Sequence, residues 1–125
     1  MKDNAVKTKS FAFAVRIVKL YQFLKNNHNE YVLSKQILRC GTSVGAMIRE
    51  AEHSESKADF VHKMAVAQKE INETIYWLEL LFYTDFLSKE QFESINTDAV
   101  ELIKMLTSII KTTKANSANN VTINH

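Results

Sequence analysis

The chain has 125 residues, a formal net charge of +2 and a hydrophobic fraction of 46%, and it contains no proline, two glycines and one cysteine. That length accommodates one domain with a core, and the near absence of the two residues that punctuate strands and turns excludes sandwiches and barrels. A lone Cys40 excludes an intrachain disulfide and points to a reducing, cytoplasmic compartment.

Met1 to Ser10 is polar and lacks the apolar centre of a signal peptide. The first helical pattern follows Ser10 and runs to about Asn27. One apolar row is Phe11, Ala14, Val18 and Tyr21; the row beside it is Ile17, Leu20 and Leu24. The second pattern follows Ser34, runs to about His53, and carries the stripe Ile37, Gly41, Val44, Ile48 and Ala51. The third follows Ser56, with Asp59 three residues on, and runs to about Thr84 through Phe60, Met64, Ala67, Ile71, Leu78 and Phe82. The fourth follows Ser88, with Gln91 completing a capping box, and runs to about Thr113 through Phe92, Ile95, Ala99, Leu102, Leu106 and Ile109. Alternating steps of three and four are the seam of a helical bundle. The serine hydroxyls would accept hydrogen bonds from the unpaired N–H groups of the first turns.

Short linkers make successive helices antiparallel neighbours. The expected fold is therefore all-α, an antiparallel up-and-down four-helix bundle over residues 1–114. Residues 115–125 are Asn-rich and aperiodic and are expected to form a disordered polar tail. No apolar stretch approaches the roughly 18 residues that a membrane span requires, so no membrane partner is expected.

Charge is unevenly placed. Residues 1–49 carry nine Lys/Arg and two acids, whereas residues 50–125 carry seven Lys and twelve acids. Such asymmetry can mark a basic surface for RNA or DNA, with Lys7, Lys9, Arg16, Lys19, Lys25, Arg39 and Arg49 as candidates. It can equally reflect ion pairing between the two halves of one bundle. Arg39 or Arg49 on the second helix is expected to pair with Glu70 or Glu73 on the third. Phe11 and Tyr21 lie on apolar rows and are expected in the core rather than as base-stacking platforms.

Eight of the nine residues from Ile75 to Tyr83 are apolar or aromatic. A bundle helix needs about three apolar positions in seven, so this run encircles its helix. Tyr76, Trp77, Leu80 and Tyr83, with Phe13 and Phe23 of the first helix, are expected to form a self-association interface. The alternative is that a terminus covers them.

Glu50-x-x-His53 and Asp59-x-x-His62 resemble half of a di-metal carboxylate motif. The first helix, however, has no acid between Asp3 and Glu30, and both pairs sit at a helix junction. No metal, cofactor or catalytic residue is expected. Cys40 reads as a small buried hydrophobe. Gly41 and Gly45, with Cys40, Thr42, Ser43 and Ala46, read as a small-residue face for close helix approach.

Two ordered stretches carry a family resemblance. Ser34-Lys35-Gln36-Ile37-Leu38-Arg39-Cys40-Gly41-Thr42-Ser43-Val44-Gly45-Ala46-Met47-Ile48-Arg49-Glu50-Ala51 resembles the second-helix signature of the bacterial four helix bundle proteins. That group includes proteins encoded in ribosomal-RNA intervening sequences. Ala58 to Met64 and Ala67-x-Lys69-Glu70-x-x-Glu73-Thr74-x-Tyr76-Trp77-Leu78-Glu79-Leu80-Leu81 resemble its third-helix signature. Met47 stands where the family often has Asn, so a polar role there is not carried over. The resemblance implies an up-and-down bundle and a ring-shaped homopentamer. It also implies kinship with accessory proteins of diversity-generating retroelements, which bind nucleic acid and a reverse transcriptase.

Together these readings predict a non-enzymatic homo-oligomeric scaffold that binds nucleic acid electrostatically through its N-terminal half. The rival readings are a purely structural or protein-binding oligomer and a metal-dependent bundle enzyme.

Overall fold

The structure, a computed structural model, describes the backbone of residues 4–123 and the side chains of residues 5–116. Among the described residues there are four α-helices and no strand: α1 (Asn4–His28), α2 (Leu33–Ala51), α3 (Lys57–Tyr83) and α4 (Lys89–Ile123). α1 packs on α2, α2 on α3 and α3 on α4, and α4 closes back on α1 along the loosest seam. α1 and α3 therefore occupy diagonal corners. This is the antiparallel up-and-down four-helix bundle that the 3–4 periodicity predicts.

The core follows the predicted stripes of three helices closely. Ile37, Gly41, Val44, Ile48 and Ala51 of α2 are all buried, as are Met64, Ala67, Ile71 and Leu78 of α3 and Ile95, Ala99, Leu102 and Leu106 of α4. Thr74 fills the gap in the α3 stripe; its hydroxyl donates to the Glu70 carbonyl at 2.8 Å, which satisfies it inside the core.

α1 departs from expectation in three ways. It begins at Asn4, not after Ser10, because the buried row runs back through Phe13 to Val6. Ser10 is buried mid-helix, with its hydroxyl donating to the Lys7 carbonyl at 3.0 Å. The row Phe11, Ala14, Val18 and Tyr21 faces outward, and Phe11 is 55% exposed. The inward row is Val6, Phe13, Ile17 and Leu24. Phe13, expected at an interface, is instead a core residue. The sequence offered more apolar residues than one helix face can bury, and periodicity alone did not say which row turns inward.

The helix ends explain how a chain without proline turns. Asn29 (φ 51°) and Asp85 (φ 68°) take the left-handed conformation just past α1 and α3. Asn and Asp tolerate that region better than other non-glycine residues. The Glu30 N–H then donates to the Leu24 carbonyl, and the Phe86 N–H to the Leu81 carbonyl, satisfying carbonyls that the helix leaves open. Ser56 caps α3 by accepting from the Asp59 N–H at 3.0 Å. Ser88 and Gln91 form a reciprocal box at α4, at 3.1 and 2.9 Å.

Ser34 is not the cap of α2. Glu30 holds that end: its carboxylate accepts from the N–H groups of Val32, Leu33 and Ser34 at 2.9, 2.8 and 2.7 Å. At the other end of the chain, α4 stays helical to Ile123, where composition predicts an irregular tail from Ala115 onward. No proline or glycine occurs there to stop propagation. Asn124 and His125 lie outside the described residues.

Gly41 and Gly45 play different parts. A Cβ built on Gly41 would lie 2.7 Å from Cγ1 of Ile17, so glycine is what lets α1 and α2 approach. The same atom on Gly45 would meet only ordinary contacts, 3.5 Å from Ser10.

Candidate interaction surfaces

The seven basic residues singled out from sequence do not form one free patch. Four are held inside the subunit. Lys7 pairs with Glu52, just past the end of α2, at 3.0 Å. Lys9 pairs with Glu101 at 2.6 Å and Asp98 at 3.4 Å, both on α4. Arg16 reaches the same Asp98 at 2.8 Å and donates to the carbonyl and hydroxyl of Ser94. Arg39 bridges Glu70 at 3.2 Å and Glu73 across the α2–α3 seam. The remaining three have no ion-pair partner among the described residues. Of these, Arg49 lies 5.1 Å from the Phe11 ring centroid, apart from Glu70 and Glu73, and Lys25 lies 5.9 Å over Tyr21. Phe11 and Tyr21 thus carry cations on the outer face and do not serve as core.

The electrostatics of these pairs follow from their surroundings. The Glu101 carboxylate, working against burial, raises Lys9 above its ordinary pKa. Burial pushes Asp98 up, and Arg16 with Lys9 more than offsets it, leaving the carboxyl below its usual range. Glu73 is lowered by the Trp77 indole N–H, which donates to it at 3.1 Å, and by Arg39. The α1–α4 seam is therefore tied by charge where its apolar packing is thin. Below Arg16 it opens into a cleft of about 500 Å³ floored by Leu20, Phe23, Leu87 and Ile95.

Most of the Ile75–Tyr83 run is absorbed by the bundle. Leu78 and Leu81 are buried, Phe82 stacks on Phe92 with centroids 4.9 Å apart, and Trp77 and Leu80 are half-buried. Phe23 is half-buried beside His28, 5.0 Å between rings. What stays open on α3 is Tyr76 and Tyr83, 58% and 79% exposed. What stays open on α1 is Phe11, Val15 and Val18. Sequence reading missed Val15, assigned Phe11 and Tyr21 to the core, and placed Val18 on the same apolar row.

Cys40 and Asp59, two of the groups weighed as reactive, are tied into the fold. Burial raises the Cys40 thiol, which suppresses the reactive thiolate. Asp59 accepts from Lys63 at 3.1 Å and from the Glu55 N–H. Among the described residues, no three His, Cys, Asp or Glu side chains come together in a group that could hold a metal ion. No described helix is long and apolar enough to cross a membrane.

A family model described as 23S rRNA-intervening sequence protein matches residues 2–108. The chain belongs to this family. A solved structure from Bacteroides thetaiotaomicron, a protein of unknown function from the S23 ribosomal protein family, is 61% identical to this chain. The likeness covers 86% of this chain and 99% of that one, with a TM-score of 0.85. Among curated proteins none matches.

Proposed function

We propose that this protein is a non-enzymatic scaffold of the cell interior that assembles from copies of itself, head to tail. The observation that carries the reading is a pair of unlike apolar faces at diagonal corners. One is Phe11, Val15 and Val18 on α1; the other is Tyr76 and Tyr83 on α3. Large exposed apolar side chains gathered on one face mark contact surfaces. Two different faces on opposite corners favour a heterologous contact, which closes into a ring when the rotation permits. Charge supports the match: Lys19 and Lys25 lie along the α1 face, and Glu79 sits between Tyr76 and Tyr83 on α3, all exposed. Intracellular placement rests on the lone cysteine, buried and reduced in this fold.

The absence of enzymatic activity is supported by how Glu70, Glu73, Asp59 and Cys40 are occupied. The purified protein should sediment at micromolar concentration as a discrete multiple of 14.3 kDa. A single species at that monomer mass contradicts the proposal.

A further inference from the structure

The helix α4 divides by charge. Its first half carries Glu90, Glu93, Asp98 and Glu101, and no acid follows Glu101 in the chain. Asp98 and Glu101 face α1 and hold Lys9 and Arg16. Beyond them come Lys104, Lys111 and Lys114, all exposed, none with an ion-pair partner among the described residues. Their spacing of seven and three puts them on one side of the helix, along with Thr107. Thr107 accepts from the Gln68 side chain of α3 at 2.7 Å, which places that side along the α3–α4 seam. At the end of the seam Lys57 of α3 joins Lys114 in lining one cleft. The nearest acids of α3 point elsewhere: Asp59 holds Lys63, and Glu70 and Glu73 hold Arg39.

We infer that this lysine stripe along the α3–α4 seam is a binding surface for a nucleic-acid backbone. A cation without an ion-pair partner keeps its attraction for an outside anion, and Glu101, three residues before Lys104, is taken up by Lys9; Lys7, Lys9, Arg16 and Arg39, by contrast, are satisfied within the subunit. From Lys104 to Lys114 the helix rises about 15 Å, a length over which a duplex presents roughly nine phosphate charges. Lysine ammonium groups act as point charges without the planar fork that reads a base edge. The stripe also lacks exposed aromatic side chains for base stacking. The binding is therefore to phosphates, independent of sequence and steeply dependent on salt. In an assembly each copy adds its own stripe to the same ligand.

The test is fluorescence anisotropy of a labelled RNA and a labelled DNA of equal length across a salt series. Wild type should bind both at low salt. The triple variant Lys104→Gln, Lys111→Gln, Lys114→Gln should flatten the slope of log affinity against log salt by about three. The corresponding triple Glu variant should weaken binding on the order of 100-fold. The pair Lys35→Gln, Lys69→Gln, exposed lysines of α2 and α3 away from the stripe and from the α1 face, should bind as wild type does. Helix content and sedimentation of each variant, unchanged from wild type, exclude unfolding or disassembly as the cause. Unchanged binding in the α4 variants, an equal loss in the Lys35/Lys69 pair, or no wild-type binding at low salt would each overturn the inference.

Discussion

Single residues settle how closely α1 and α2 can lie. Gly41 faces the fully buried, β-branched Ile17, which has no free end to move aside. Gly41→Ala should destabilise the protein by about 1–3 kcal/mol, the usual cost of overpacking a core. Gly45 has room for a methyl group, so Gly45→Ala should be neutral or stabilise by up to about 1 kcal/mol through helix propensity. Urea denaturation of the two variants separates them, and equal losses would contradict the packing described. Both glycines read alike in sequence, as one small-residue face. Their difference depends on which side chain stands opposite, and that is a property of the packed pair. Arg39 was legible for the converse reason. Opposite charges on adjacent antiparallel helices narrow its partners to Glu70 and Glu73, and it bridges the two. Arg49, ten residues on, turns outward to Phe11, which the apolar pattern had placed inside.

At the scale of elements, the stripes of α2, α3 and α4 were readable because each carries roughly one face's worth of apolar residues. α1 carries nearly two, and the choice between them is made by its neighbours. Caps were readable where Ser is followed by Asp or Gln at the third position, as at Ser56 and Ser88. Glu30 was not, since its carboxylate reaches forward from outside the helix to three N–H groups. Burial pushes Glu30 up, but those hydrogen bonds, with the Ser34 hydroxyl, prevail and leave its carboxyl below the ordinary range. A depressed carboxylate contributes stability above its unfolded pKa, near 4.3, and loses that contribution as pH falls through the folded value. Glu30→Ala should therefore cost about 1 kcal/mol at neutral pH. The gap to wild type should shrink on acidification below about pH 4. A gap that stays constant from neutral to acid pH would show that the charge on Glu30 is not what caps α2. The same scale explains the basic surface. The count of cations in residues 1–49 was visible, but not that α4 supplies the acids that hold Lys9 and Arg16, nor that Lys104, Lys111 and Lys114 have no ion-pair partner among the described residues.

For the whole molecule, a bundle of this size buries its core adequately and still leaves apolar side chains at two diagonal corners. The proposed head-to-tail contact joins these unlike faces between copies. It is tested most directly by complementation. A variant with Phe11→Glu and Val15→Glu loses the α1 face, and one with Tyr76→Glu and Tyr83→Glu loses the α3 face. Each keeps one face intact, and a head-to-tail contact needs one of each. Analytical ultracentrifugation of either variant alone should show a monomer of about 14.3 kDa. An equimolar mixture should show a one-to-one heterodimer that goes no further, because each partner has used its only face. Assembly of either variant alone, or a mixture that stays monomeric, would contradict the head-to-tail account.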